Sequence, residues 1–577
     1  MSRPAFASLT AALAERADRE PGSVVLTFVA ADGSAQPLTL AELNSRAEHN
    51  ALSLAGQGVG AGELIVLLLP HSPELVDVFW GAMRLGALPA ILPYPAPSVT
   101  ADTQRAQLRA LTRRARVHHM LTTPEVRRNL EPISAEVQCQ ILEVGSAAAD
   151  QADPSARSLR GSTDEGAPAY VQFSSGTTGP QKGILLGHAA VLNNLQSIAE
   201  AVALQPQDIV VSWLPLHHDM GLVSGILLPV VAGIQAVLVS PLDWVKDPGL
   251  LFRAIRDHHA SICWMPNFAF NHCVNGLRQR DRENIRLEGM RAFYNASEPV
   301  RLDSLELFYA RFRDAGLRRS ALGTSYGMAE VTAAVTISPA GQAARVDWVS
   351  LASLQHERRA LPQPPNTPGS IPLVSSGRPV AGVEVRVVGD DDVPLPERRI
   401  GEILVLSNAR LSGFVGTAEV STPGAAWVRS GDLGYLAEGE LFVTGRIKDL
   451  IISGGRNIHP EDIEALTQGL PEVRPGRVVA FGLADPDSGT EQIVLVCETR
   501  APLAQADHWA LVRELRRRTQ QMLAVALADV RLVEAGWIIK TSSGKIARGA
   551  NRDKYRSHFT GSPGGTELSP GRPSGGT

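Results

Sequence analysis

The sequence predicts an α/β fold: a large N-terminal domain of mixed and largely parallel sheets with helices, then a β-rich subdomain, then a small α/β C-terminal domain. Three observations carry this prediction. Short, continuously apolar segments such as residues 64–69 and 209–213 have the composition of strands buried on both faces. They alternate with stretches of helical period such as 74–85, and that alternation places helices against a largely parallel sheet. Between residues 401 and 435 the pattern changes to short runs and turns, as in 402–406, which marks the β-rich part. From about Leu450 a smaller α/β unit is expected, with strands at 478–483 and 492–497 and an amphipathic helix at 509–527. A Pro-rich passage at 361–372 interrupts the pattern, and the Gly, Ser and Pro content after Phe559 has the character of a flexible tail. The expected boundaries are 1–448, 449–559 and a tail at 560–577.

A chain of 577 residues has room for several domains, at roughly 100 to 200 residues each. Its composition, 44% hydrophobic and 20% charged, is that of an ordinary globular protein, and a net charge of -4 gives no global attraction to nucleic acid or an anionic membrane. The cysteines Cys139, Cys263, Cys273 and Cys497 are too dispersed for paired Cys-x-x-Cys ligand sets, so neither a zinc site nor a disulfide framework is indicated. They are read as reduced, and the protein as cytoplasmic. Residues 6–13 are apolar, but Glu15, Arg16, Asp18 and Arg19 follow at once, which argues against a secretory signal. The longest apolar run, 225–239, contains Pro229, Gly233 and Gln235 and falls short of a transmembrane span.

The chemistry begins at Tyr170, where a strand opens into Ser174-Ser-Gly-Thr-Thr-Gly-Pro-Gln-Lys-Gly183. Glycines let backbone N–H groups converge on phosphate oxygens, hydroxyls add donors, and the lysine supplies a point charge. The loop is not a P-loop, because Gln181 stands where a glycine should precede the lysine and Gly183 where a serine or threonine should follow. A generic Gly-Ser-Thr loop is more often an ordinary polar turn. The full string, however, resembles the signature loop of the adenylate-forming superfamily, which includes acyl-CoA synthetases, peptide-synthetase adenylation domains and luciferases. That resemblance assigns Ser174, Ser175, Gly176, Thr177, Thr178, Gly179 and Lys182 to the phosphates of ATP.

Further strings resemble the superfamily's other motifs, in the expected order. Trp213-Leu-Pro-Leu-His-His-Asp-Met-Gly-Leu222 is similar to the segment at the carboxylate entrance, where His218 would border the acyl channel. Asn295-Ala-Ser-Glu-Pro299 and Thr324-Ser-Tyr-Gly-Met-Ala-Glu330 look like the segments that bracket the adenine. By resemblance Ala296, Ser297, Glu298, Ser325, Gly327 and Met328 line the nucleotide, Tyr326 stacks on it, and Glu330 holds Mg²⁺, which needs few protein oxygens beside substrate phosphates. Ser430-Gly-Asp-Leu-Gly-Tyr435 supplies Asp432 for the ribose hydroxyls, Gly445-Arg-Ile-Lys-Asp449 supplies Arg446 for the ribose and Asp449 as a hinge, and Lys540-Thr-Ser-Ser-Gly-Lys-Ile-Ala-Arg548 supplies the catalytic Lys545. The resemblance makes residues 1–448 an adenylation domain that binds ATP and the acyl group, and residues 449–559 a mobile lid.

Within the superfamily, the His-His-Asp-Met-Gly-Leu run, Asn295-Ala-Ser-Glu-Pro-Val300, Val374-Ser-Ser-Gly-Arg-Pro379 and the long stretch between Glu330 and Arg378 look most like fatty acyl-AMP ligases. This implies activation of a medium- or long-chain fatty acid with ATP and Mg²⁺, then transfer to the phosphopantetheine thiol of a holo-acyl carrier protein. The alternatives are transfer to CoA, as in a fatty acyl-CoA synthetase, and a non-catalytic homologue that only binds. One departure stands out: Leu411-Ser-Gly-Phe-Val-Gly416 lacks the aromatic pair common in the family.

Overall fold

The computed structural model describes residues 6–95, 100–112, 115–143, 167–173, 182–278, 281, 283–416, 426–453, 456–485, 490–523, 525–541 and 544–560. These fall into two compact units that divide between Lys448 and Asp449.

The first unit is built on a nine-stranded sheet. Its spatial order is Arg378–Pro379, Ala334–Ile337, Leu322–Gly327, Ala292–Ala296, Ile262–Pro266, Ile209–Ser212, Gln235–Val239, Val24–Val29 and Ala35–Thr39. The six strands from Leu322–Gly327 through Val24–Val29 run parallel, and only the outer strands are antiparallel. A second sheet, Leu88–Ile91, Leu64–Leu68, His119–Thr122 and Gln140–Glu143, is parallel throughout. The interior strands are apolar along their length because both faces are covered. Leu64–Leu68 is buried at every position.

Local chemistry sets the covering helices. Pro73–Leu85 begins on Ser72, whose hydroxyl accepts the Leu75 N–H, carries Pro at its first position and ends on Gly86 at φ +83°. Its neighbour Leu40–Gly56 starts in a capping box formed by Thr39 and Glu42. The apolar run 225–239 is divided: the helix Leu228–Ala232 stops at Gly233, φ +73°, and the strand Gln235–Val239 follows. The β-rich part is an antiparallel sheet of Val383–Val388, Gly401–Ser407, Val428–Ala437 and Glu440–Arg446. The Pro-rich passage at 361–372 is mostly the connection of a hairpin, but Pro372 itself lies in a strand, since Val346–Ser350 pairs with Ser370–Val374.

The second unit holds Val473–Asp485, Thr490–Thr499 and Asp529–Val533 in one sheet, flanked by Gln505–Leu523 and Arg548–Tyr555. Three expectations need correction. The helix expected at 509–527 spans Gln505–Leu523, because Val525 turns back to the Thr519 carbonyl and Ala528 joins Ile493 on the sheet. The strand expected at 478–483 is longer and contains a bulge between Val473 and Val478, where Gly476 takes φ +65°. Thr560, expected to open the tail, closes a last helical turn, Arg556–Thr560, and residues 561–577 lie outside those described.

Candidate active site

Catalytic and binding residues in open α/β sheets gather outside the carboxyl ends of the parallel strands, and the same edge collects the candidates here. Ile209–Ser212 leads into the segment ending at His218 and Asp219, Ala292–Ala296 leads to Ser297, and Leu322–Gly327 ends on Tyr326 and Gly327. Several glycines in these turns are fixed by close approach. A Cβ on Gly221 would sit 2.3 Å from the Pro215 carbonyl oxygen, and one on Gly327 would sit 1.8 Å from that of Ala333. The Met328 N–H donates to the same Ala333 carbonyl at 2.9 Å.

Tyr326, Asp432 and Arg446 form one hydrogen-bonded group. The Tyr326 hydroxyl donates to Asp432 Oδ2 at 2.7 Å, and Arg446 Nε lies 3.0 Å from Asp432 Oδ1. Asp432 and Arg446 are direct cross-strand partners, so the sheet register brings the two charges together. Burial pushes the Tyr326 phenol well above its ordinary pKa, and the Asp432 charge pushes it further. The hydroxyl therefore stays protonated and donates.

Glu330 sits in a single tight turn, Ala329–Val331, followed by Thr332 at φ +74°. Burial raises its pKa above the usual carboxylate value; Asp219 and Asp432 add to the rise, while Lys182 opposes it. Glu330 thus feels two further carboxylates and one ammonium: Asp432 is buried, Asp219 and Glu330 are half-buried, and Lys182 is exposed. The Lys182 ammonium lies 5.3 Å from the centre of the Phe414 ring. Phe414 reaches it because Gly413–Phe414 pairs with Gly183–Gly187, the strand that Lys182 precedes.

His218 caps the turn Asp219–Leu222, with Nδ1 3.3 Å from the Met220 amide nitrogen and 2.6 Å from Asp219 Oδ1. Gln172 donates to the His217 carbonyl at 2.7 Å and ties this segment to the strand Pro168–Phe173. Ser297 holds φ +69°, an uncommon conformation for a non-glycine residue, with its hydroxyl 3.6 Å from Met220 Sδ. Glu298 accepts the Phe268 N–H at 3.0 Å, at the start of the helix Asn267–Gly276, so its carboxylate serves a helix N-terminus. Ala296 is buried in its strand and Ser325 is half-buried. Ser174, Ser175, Gly176, Thr177, Thr178 and Gly179 lie outside the described residues.

Lys545 belongs to the second unit. Thr541 N–H donates to the Lys545 carbonyl at 2.8 Å, and Lys545 N–H donates to the Thr541 hydroxyl at 3.2 Å. Gly544, φ +85°, makes this turn possible. Asp449 stands at the start of the same unit, 3.5 Å from Arg548.

The family of AMP-binding enzymes matches residues 13–415. The chain belongs to that family. This AMP-binding enzyme is 32% identical to the long-chain-fatty-acid–AMP ligase FadD26 of Mycobacterium marinum, over 95% of this chain and 97% of that one. It is 30% identical to the medium-chain-fatty-acid–[acyl-carrier-protein] ligase JamA of Moorena producens, over 96% of each. Among solved structures, one from a study of fatty acyl-adenylate ligases of E. coli and L. pneumophila superposes with a TM-score of 0.88 at 26% identity, covering 97% of this chain and 100% of that one.

Sequence reasoning missed two residues that the structure sets beside the candidates in this AMP-binding enzyme. Asp219 was visible as the acid of the His-His-Asp string, but only the fold brings its charge to bear on Glu330. Phe414, within the string that departs from the family pattern, faces Lys182 through a strand pairing that the sequence does not announce.

Proposed function

We propose that the protein is a fatty acyl-AMP ligase. It converts a medium- or long-chain fatty acid and ATP to acyl-AMP and pyrophosphate, then passes the acyl group to the phosphopantetheine thiol of a holo-acyl carrier protein in the cytoplasm. The observation that carries this reading is the hydrogen-bonded group of Tyr326, Asp432 and Arg446 at the end of the parallel strand Leu322–Gly327, with Glu330, whose ionisation Asp432 and Lys182 influence, in the turn that follows. The named activities of FadD26 and JamA support the acyl substrate, and JamA's supports the carrier acceptor.

In the first step a carboxylate oxygen attacks the α-phosphorus, the bond to the bridging oxygen breaks, and pyrophosphate leaves. Both reactants are anionic, so catalysis must neutralise charge and hold them in line. Asp432 and Arg446 hold the ribose, Tyr326 fixes Asp432 and presents its ring to the adenine, and Lys182 with residues 174–179 cradles the phosphates. Glu330 would hold the cation: burial and the charges of Asp219 and Asp432 both oppose its ionisation, and a positive charge beside this half-buried carboxylate would relieve that. Mg²⁺ held there would screen the charge of the triphosphate. Lys545 bridges the attacking carboxylate and the α-phosphate, and His218 borders the acyl channel. In the second step the carrier thiol attacks the acyl carbonyl and AMP leaves; rotation at Asp449 separates the two steps.

The test incubates the protein with Mg-ATP and a fatty-acid panel, adds either CoA or a holo-acyl carrier protein, and follows products by mass spectrometry. Acyl-AMP that moves only to the carrier protein is expected. Efficient acyl-CoA formation would make the enzyme a synthetase, and the absence of any adenylate would overturn the proposal.

A further inference from the structure

Arg548 is three residues beyond Lys545 and is buried in the second unit, its side chain only 9% exposed. Its Nε donates to the Ala480 carbonyl at 2.9 Å and its Nη2 to Glu464 Oε1 at 2.7 Å. The same Nη2 lies 3.2 Å from Glu461 Oε1, and Nη1 lies 3.5 Å from Asp449 Oδ2. One guanidinium therefore serves three carboxylates, a geometry suited to its planar fork and beyond the reach of a single ammonium. Burial pushes the Glu464 carboxyl upward and Arg548 pulls it down, as expected where acids outnumber the base. Asp449 is held at the longest of these distances, so it is the contact that can release while Arg548 keeps Glu461 and Glu464.

Arg548 also begins the helix Arg548–Tyr555, to which the Lys545 loop is fastened. Asn551 donates to the Ile539 and Ala547 carbonyls, both at 2.8 Å, and accepts the Ile539 N–H at 2.8 Å. Both feet of the loop are thus fixed to the helix whose first residue holds Asp449.

We propose that Arg548 is a positioning residue that couples the hinge residue Asp449 to the loop carrying Lys545, with Glu461 and Glu464 competing for the same guanidinium and so setting how firmly the hinge is held. The proposal rests on the functional reading above. Neutralising Glu461 leaves more of the guanidinium's charge for Asp449, which holds the hinge residue more tightly and favours one half-reaction over the other.

The experiment compares wild type, Glu461→Gln and Arg548→Lys as full-length proteins. Fatty-acid-dependent ATP–pyrophosphate exchange reports adenylation, and transfer from preformed acyl-AMP to a holo-acyl carrier protein reports the second step. Glu461→Gln is expected to change the ratio of the two rates by about fivefold or more, the size of one altered charge-assisted contact, with the KM for ATP unchanged. Arg548→Lys is expected to lower adenylation kcat about tenfold while leaving that KM near wild type. Equal loss of both half-reactions, which a merely structural role would give, or no change in their ratio for Glu461→Gln would overturn the coupling. A wild-type protein without pyrophosphate exchange would overturn the functional reading and the coupling with it.

Discussion

Asp432 depends on its neighbours. Its two oxygens are divided between Tyr326 and Arg446, so removing the Tyr326 hydroxyl leaves a partly buried carboxylate with one partner fewer. A hydrogen bond to a charged group contributes roughly 1.5–3 kcal/mol, so Tyr326→Phe should raise the KM for ATP at least about tenfold, with a smaller change in kcat. An unchanged KM in steady-state kinetics would separate the hydroxyl from nucleotide binding. Glu330 makes the opposite kind of prediction. Its burial opposes ionisation, so Glu330→Gln should leave thermal stability equal or higher while lowering adenylation about 100-fold. Parallel loss of melting temperature and activity would mark it as structural. At this scale the candidates are legible where chemistry is local: Tyr326, Asp432, Arg446 and Glu330 all come from short strings, and the structure joins the first three in one hydrogen-bonded group. It was silent on the turn of Glu298 toward the amide of Phe268, because that partner lies thirty residues away in sequence and is reached only through the fold.

At the scale of elements, the first helix, Leu9–Arg19, is pinned by an unusual acceptor: its Leu9 N–H donates to Nδ1 of the buried His188 at 3.2 Å. Burial lowers the His188 pKa to about 4. The neutral ring is favoured by folding, so its contribution is fully present above the unfolded value near 6.5 and is lost as pH falls toward 4. The loss between pH 7 and pH 5 is roughly 2 kcal/mol. His188→Gln should therefore flatten the decline of melting temperature over that interval, and a variant curve parallel to wild type would refute the assignment. Element type was legible wherever period and burial agree, as in Leu64–Leu68 and Pro73–Leu85. Boundaries were less so. The run 225–239 is apolar but for Gln235, and the left-handed Gly233 marks where helix gives way to strand. The helix Gln505–Leu523 began earlier than its apolar residues, since its first turn is polar and exposed.

For the whole molecule, the candidate groups are divided: the residues proposed to bind the nucleotide belong to the first unit, and Lys545 to the second. The sequence carried that organisation through the order of its motifs, whereas the network around Arg548 joins positions roughly a hundred residues apart and could not be read without the fold. Division of labour has a kinetic consequence: a change at Lys545 should affect chemistry and spare nucleotide binding. The most direct measurement is fatty-acid-dependent ATP–pyrophosphate exchange by wild type and Lys545→Ala, alongside ATP binding by calorimetry. The account predicts robust exchange in wild type and a loss of at least ~100-fold in the variant, with the dissociation constant for ATP within about threefold. Undiminished exchange by Lys545→Ala, or no exchange by wild type with any fatty acid, would contradict it.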